Sequence, residues 1–175
     1  MKYNLNPGSI EAVVETDPYI PLNIRFGKED FEVDRCGIYG PDGELFEVAV
    51  SLFSNEIKEL TLVHCERYHR LDVPLVVPTA ESGVLSLEMP DHTDTPRFDV
   101  CVYSDGLRLG FTDDDVDAYL RHGNALFGIA KGKRAISEVI LRDIDPKAIA
   151  SMIETIDSTI SQKDIVFIYK GDDKE

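Results

Sequence analysis

The densest group of side chains that could do chemistry is the run from His64 to His69, which holds two histidines, a cysteine and a glutamate. If the chain is extended there, His64 and Glu66 project from the same side of a strand, at a spacing that metal ligands can use. His69 from the following loop and His92 from a Pro-rich connection could join them. These four residues are the candidate site of a small metal- or ligand-binding barrel or enzyme.

The same residues also fit an ordinary strand end, because no second pair of ligands stands at a recognisable spacing. His64 and Cys65 are neighbours in a strand and point to opposite faces, so they cannot form a thiolate–imidazolium pair. Cys36, Cys65 and Cys101 are widely spaced and odd in number, which predicts reduced, buried thiols and no disulfide framework. We therefore predict no catalytic residue, metal or cofactor, and the choice between enzyme and non-enzyme stays open with the balance toward non-enzyme.

Other catalytic and ligand-binding motifs fail on inspection. Asp113 begins an acidic run that suggests calcium, but Ala118 and Asn124 stand where an EF-hand loop needs its glycine and its glutamate. Glycine-rich phosphate loops and nucleophile motifs are missing from the sequence. The compact basic group at 131–134 suits a solvated hairpin tip better than a nucleic-acid interface.

Charge is the most informative bulk property of the chain. The 175 residues carry a formal net charge of −15, and residues 81–121 hold ten acidic and three basic residues, a net −7. Such a field repels nucleic acids and anionic membranes and attracts basic proteins. The competing explanation is that acidity only keeps the protein soluble.

The leading hypothesis is a non-enzymatic protein-binding module that presents an acidic surface to a basic partner. Its most concrete version is a bacterial inhibitor or immunity-type protein that neutralises a basic toxin or nuclease. The predicted contact residues are acidic and lie in the second half of the chain: Asp113, Asp114, Asp115, Asp117, Glu88, Asp91, Asp94 and Asp105. With no apolar leader or membrane span, the cytoplasm is the expected compartment, and the oligomeric state is undetermined.

The elements that must position these residues are mostly strands. Residues 36–66 predict a three-stranded antiparallel meander, because alternating apolar residues flank a turn at 40–43 and a second turn at 54–55. Further strands are expected near 10–15, 20–26, 84–87, 98–103, 107–111, 126–130, 135–143 and 165–169. A hairpin turn is predicted at Ser104-Asp105-Gly106.

Two helices are predicted. Thr112 and Asp115 have capping-box spacing, which favours a short helix near 113–122 that ends at Gly123. Asp145 caps and Pro146 opens a longer helix at about 146–161, whose isoleucines follow helical spacing.

The expected fold class is α+β and mainly antiparallel β, with about nine short strands in a curved sheet or open barrel on which the C-terminal helix packs. The chain is expected to be a single domain with a frayed tail at 171–175. The alternative is two consecutive β units, about 10–69 and 98–169, joined by the Pro-rich connection 70–97. Residues 57–62 and 136–141 resemble each other, as a duplication would predict, although similarly buried strands often look alike.

Overall fold

The computed structural model describes residues 2–4, 12–27, 32–82, 84–86, 92–132 and 135–170. These residues form strands and one helix, which we number in chain order. The strands are β1 (Lys2–Asn4), β2 (Ala12–Glu15), β3 (Leu22–Phe26), β4 (Val33–Tyr39), β5 (Leu45–Ser51), β6 (Ile57–His64), β7 (His69–Arg70), β8 (Glu81–Ser82), β9 (Val84–Ser86), β10 (His92–Asp94), β11 (Asp99–Val102), β12 (Gly106–Gly110), β13 (Val116–His122), β14 (Ala125–Ala130) and β15 (Ile136–Arg142), and the helix is α1 (Pro146–Lys170).

Most strands belong to two sheets that pack face to face. The first sheet has the order β10-β4-β5-β6-β3-β2 and the second has the order β7-β11-β12-β15-β14-β13-β8, while β1 and β9 pair separately. One apolar cluster contains inward-facing residues of both sheets, and Phe46 of the first lies 5.9 Å from Phe111, which follows β12, measured between ring centroids. The β-rich α+β class is confirmed, but the sheets are not closed into a barrel.

The predicted hairpins are present. β4, β5 and β6 form the antiparallel meander, and Gly43 takes a φ of +93° in the turn between the first two of them. The Tyr103 N–H donates to the Gly106 carbonyl across the β11–β12 turn, at 2.8 Å. β14 and β15 form the third predicted hairpin.

The short helix predicted at 113–122 is wrong, because β13 occupies Val116–His122. Gly123, with a φ of +60°, opens a two-residue turn that pairs β13 with β14. The Thr112 hydroxyl does bind the Asp114 N–H, at 3.2 Å, but in a local turn. Tertiary pairing with β14 therefore overrides a local signal that was only one turn long.

The C-terminal helix begins where it was predicted and ends later. The Asp145 carboxylate accepts a hydrogen bond from the Lys147 N–H at 2.7 Å, as expected of a cap. The helix continues through the strand predicted at 165–169, since neither proline nor glycine interrupts 147–170. The frayed tail predicted at 171–175 lies outside the described residues, and no helix in the described ranges is long and apolar enough to cross a membrane.

The helix packs on the core that the two sheets share. Ile149, Met152 and Ile156 enter the apolar cluster that the sheets share. The Thr155 hydroxyl donates to the Asp17 carbonyl at 3.0 Å, in the β2–β3 turn.

The two sheets have the same connectivity. In the first, the strands β2 to β6 are arranged as 2-3-6-5-4, and in the second, β11 to β15 are arranged as 11-12-15-14-13. The similar segments 57–62 and 136–141 fall on β6 and β15, which occupy the same central place in this arrangement. Shared connectivity supports the two-unit alternative, and an internal duplication stays a prediction.

The Pro-rich connection was expected to be mostly loop, but it contributes four short strands. β7 pairs in parallel with β11, β8 with β13 and β10 with β4, so each lies at the edge of a sheet. β9 matches the short strand predicted at 84–87 and pairs with β1.

Replacing Phe46, which is fully buried between the sheets, should test the shared core. We expect Phe46→Ala to lower the free energy of unfolding by about 3–5 kcal/mol in urea denaturation, because a large cavity forms. Phe53→Ala is the matched control, since Phe53 is 79% exposed, and should change stability by less than about 0.5 kcal/mol. Equal effects of the two variants would contradict this placement of the core.

Candidate functional site

The aspartates that were predicted to lie on a short helix lie instead in the connection before β13 and at the start of that strand. We call residues 113–117 the acidic loop. Asp113, Asp115 and Asp117 are exposed, and the last of these stands at a β-bulge in β13. Arg97 bonds to Asp113 and also to Asp99, so one guanidinium serves two carboxylates. Three side-chain carboxylates are thus presented to solvent within five residues.

Backbone contacts hold the acidic loop in place. The Lys131 N–H donates to the Asp115 carbonyl at 2.8 Å, and the Ser137 hydroxyl donates to the Asp114 carbonyl at 3.0 Å. Asp114 itself is half-buried. The loop is therefore tied to β15 and to the turn that follows β14.

The other predicted contact residues do not all join this surface. Asp105 precedes β12 whereas Asp113 follows it, so the two stand at opposite ends of that strand. The Asp105 carboxylate accepts a hydrogen bond from the Leu75 N–H at 2.8 Å, which gives it a structural role. Asp94 is exposed on β10, where it binds His92. Glu88 and Asp91 lie outside the described residues.

The four candidate metal ligands are not brought together. His64 Nε2 lies 3.0 Å from Glu66 Oε1, as their spacing predicted. His69 is in the second sheet, and His92 is on β10 at the edge of the first, three strands away from β6, which carries His64. His92 instead stacks on Tyr39 at 4.2 Å between ring centroids. Among the described residues, no three His, Cys, Asp or Glu side chains are grouped as metal ligands would be.

Cys65 is held as a thiol. Burial raises its pKa to about 12, although its Sγ–H bonds to the Arg67 carbonyl at 2.8 Å. A thiolate is the nucleophilic form of cysteine, and almost none is present at neutral pH. The prediction that the cysteines are buried holds for Cys36 and Cys65, and Cys101 is half-buried.

A feature that sequence reasoning missed is a pair of glutamates at equivalent places in the two sheets. Glu59 of β6 faces Ala49 of β5, and Glu138 of β15 faces Gly128 of β14. Each lies on the side of its strand that faces away from the shared core. The signal was available in the similar segments 57–62 and 136–141, where these glutamates align.

Each glutamate is bound by one side chain from the adjacent strand and by another from the strand two positions away on the other side. Arg35 of β4 and Asn23 of β3 reach Glu59, with Asn23 Nδ2 at 2.6 Å from its Oε1. Burial raises the pKa of Glu59, but the hydrogen bonds from these two residues outweigh it and hold the pKa below its ordinary value.

Glu138 is also bound by an arginine, but this arginine comes from the opposite side, and a tyrosine stands in place of the asparagine. Arg108 of β12 binds Glu138 from the side where Asn23 binds Glu59, with its Nε 2.7 Å from Glu138 Oε2. The Tyr119 hydroxyl of β13 donates from the other side, and burial together with this bond raises the pKa of Tyr119 to about 12. A tyrosine that is protonated at every physiological pH braces the sheet and is unsuited to act as a base.

Beside Glu59 the outer face of the first sheet forms a groove of about 480 Å³ at the β2–β3 end. Three carboxylates line it, those of Glu15, Asp17 and Glu59, together with one guanidinium, that of Arg25. Arg25 forms an ion pair with Glu15. Because Arg35 also binds Glu59, the groove has three carboxylates against two guanidinium groups, and sequence reasoning did not identify it.

His122 is fully buried between the sheets, although the sequence did not mark it as special. Its Nε2 lies 2.9 Å from the Ile57 carbonyl oxygen, and its ring meets the edge of Phe26 at 4.8 Å between centroids. Burial lowers its pKa, and Lys58 lowers it further, while the Ile57 carbonyl and Glu56 act in the opposite direction.

Removing the charge of Glu138 should destabilise the second sheet, because Glu138 is 5% exposed and carries the Arg108 contact. We expect Glu138→Gln to lower the free energy of unfolding by about 1–3 kcal/mol in urea denaturation. Glu47→Gln is the matched control: Glu47 lies 3.6 Å from Arg35 in a more exposed pair and should cost less than about 0.5 kcal/mol. A loss no larger than that of the control would show that the glutamate is dispensable.

Stability should fall as the pH drops below about 6.5, where an unfolded histidine takes up a proton that buried His122 resists. The pKa of His122 is lower in the folded protein than in the unfolded chain. Its contribution to the free energy of unfolding is therefore fully present above the unfolded pKa and is lost as the pH falls toward the folded pKa. The slope from this group is at most about 1.4 kcal/mol per pH unit. Urea denaturation between pH 7.5 and 5.5 should show a shallower slope for His122→Gln than for the wild type, whereas exposed His69→Gln should keep the wild-type slope.

Comparison with known proteins adds no relative from which residues could be carried over. No family model and no curated protein sequence matches the chain. The geometry of the described residues therefore carries the functional interpretation.

Proposed function

We propose that the protein is a non-enzymatic binding module whose acidic loop contacts a basic protein partner. The observation that carries this proposal is the exposure of Asp113, Asp115 and Asp117 on a loop whose backbone is anchored to β15 and to the turn after β14. Because the backbone of the loop is already anchored, binding a partner costs little conformational entropy in the loop.

The net charge of −15 extends this local effect over the whole molecule. A field of one sign speeds the approach of a partner of the opposite sign, most strongly at low salt. An inhibitor or immunity-type role toward a basic toxin or nuclease is the most concrete form of the proposal. It requires fast, tight association with a cationic surface, which is what such a field favours.

Protection of a sheet edge is a structural explanation for part of the charge in the acidic loop. Asp117 stands at a bulge, and charged residues with bulges protect sheet edges from unwanted pairing. Edge protection needs charge on the strand itself. Asp113 and Asp115 precede β13 and are exposed in the connection, where edge protection does not account for them.

The alternative of a metal- or ligand-binding barrel or enzyme at His64, Glu66, His69 and His92 gains no support. The sheets are open, and these side chains lie on different elements, with only His64 and Glu66 in contact.

Reversing the charge of the acidic loop should weaken binding to the basic partner. We expect the triple variant D113K/D115K/D117K to lower the association rate at least about tenfold at low salt and to flatten its salt dependence, because steering is lost. The measurement is a low-salt pulldown from the source lysate, followed by stopped-flow association with the protein captured by the wild type.

A control triple variant, D34K/D72K/E81K, changes the net charge equally at exposed positions elsewhere. It should keep most of the wild-type association rate. If both triple variants reduce the rate to the same degree, total charge and not the acidic loop governs binding, and the proposed contact is wrong.

A further inference from the structure

The edges of the two sheets differ in whether a short parallel strand is added to them. In the described residues, β10 closes the β4 edge of the first sheet, and β7 and β8 close the two edges of the second. All three closing strands come from the Pro-rich connection and pair in parallel. The fourth edge, β2, has a described neighbour on one side only, which is β3.

Because the two sheets share their connectivity, the edge strand β2 can be compared with its counterpart β11. β2 and β11 are the first strands of their five-stranded units, and both stand next to the second strand of the unit. β11 receives β7 as an added parallel strand, with His69 opposite Cys101 and Arg70 opposite Val102. The first unit therefore offers at β2 the position that β7 occupies in the second.

The side chains at β2 indicate what would fit there. Val13 is 46% exposed, an unusual exposure for an apolar strand residue in this protein, and Glu15 is half-exposed. Glu15 borders the groove that Asp17 and Glu59 also line. Arg25 pairs with Glu15 and Arg35 pairs with Glu59, which leaves one more carboxylate than guanidinium there. An added strand would bring alternate side chains over this groove, and positively charged ones would complement it.

We propose that the β2 edge accepts an extended, basic segment of a partner protein as an added parallel strand, and that a lysine or arginine of this segment enters the groove beside Glu59. This inference rests on the proposed function in taking the partner to be basic. Strand addition supplies affinity through backbone hydrogen bonds, and the side chains that alternate along the strand supply specificity.

The test uses ¹⁵N-labelled full-length protein and three synthetic hexapeptides. The first is an alternating Thr/Arg peptide, the second has the same sequence with N-methylated backbone amides, and the third replaces arginine by glutamate. We expect the first to shift the amide resonances of residues 12–15 and to saturate, and each of the other two to bind at least tenfold more weakly. N-methylation removes the strand hydrogen bonds and keeps the charge, so it separates pairing from simple attraction.

Protein variants locate the contact. Val13→Lys places a positive charge on the edge and should weaken the Thr/Arg peptide at least tenfold, whereas Val13→Thr keeps a neutral β-branched residue and should bind as the wild type. Glu59 is braced by Arg35 and Asn23, so Glu15→Gln, at an exposed carboxylate, is the safer test of the groove and should weaken binding about threefold to tenfold. Amide spectra of each variant in the absence of peptide show that the fold is retained.

Several outcomes would overturn the inference. Equal binding of the N-methylated peptide, or shifts confined to residues 113–117, would leave the acidic-loop proposal standing and reject strand addition. A dimer without peptide that Val13→Lys dissociates would place a second copy of the chain at this edge. Absence of saturable binding by the Thr/Arg peptide at millimolar concentration, with partner association still dependent on Asp113, Asp115 and Asp117, would reject the edge alone.

Discussion

The structure depends on the burial of two sheet faces against each other. Each sheet is apolar on its inner side, and the cluster that contains Phe46 and Phe111 leaves neither face accessible to water. Apolar burial of this kind is the largest favourable contribution to folding, and it places strands that are far apart in sequence side by side. The helix adds Ile149, Met152 and Ile156 to the same cluster.

The outer faces of the two sheets differ in polarity. At equivalent registers the first sheet has the pair Glu47 and Thr61, whereas the second has Leu126 and Ile140. The latter two are buried although they face away from the shared core. Residues 71–80 connect β7 at one edge of the second sheet to β8 at the other, and we attribute the burial of this pair to that crossing. The first sheet therefore keeps a polar outer face, next to which its groove and its β2 edge lie.

The glutamates at the centre of the outer faces show how charge is accommodated in such a sheet. Glu59 and Glu138 are each bound from both sides, the first by arginine and asparagine and the second by arginine and tyrosine. On one side the partner lies on the adjacent strand, and on the other side it lies one strand further away. A buried carboxylate without such partners would be costly. These two side chains therefore serve the fold.

Sequence reasoning was most successful where local chemistry decides the outcome. Gly43 needed a positive φ, and Asp145 and Pro146 were suited to begin a helix, so the turns, three hairpins and the start of α1 were predictable. It failed where weak local signals competed with tertiary pairing: residues 116–122 joined a sheet, and 165–169 extended a helix. The helix predicted over the acidic loop was wrong, and the bond from the Leu75 N–H to the Asp105 carboxylate was not foreseen, because it joins residues 30 positions apart in sequence.

The sequence by itself determined the β-rich class, the local turns and the acidic charge, because these follow from composition and from neighbours along the chain. Only the tertiary structure decided that His64 and His92 stay apart, that Glu59 and Glu138 occupy equivalent places, and that three described sheet edges are closed by the Pro-rich connection. The physical reason is that strand pairing joins residues across long stretches of chain. Its register is set by which faces can be buried together, and no short segment contains that information.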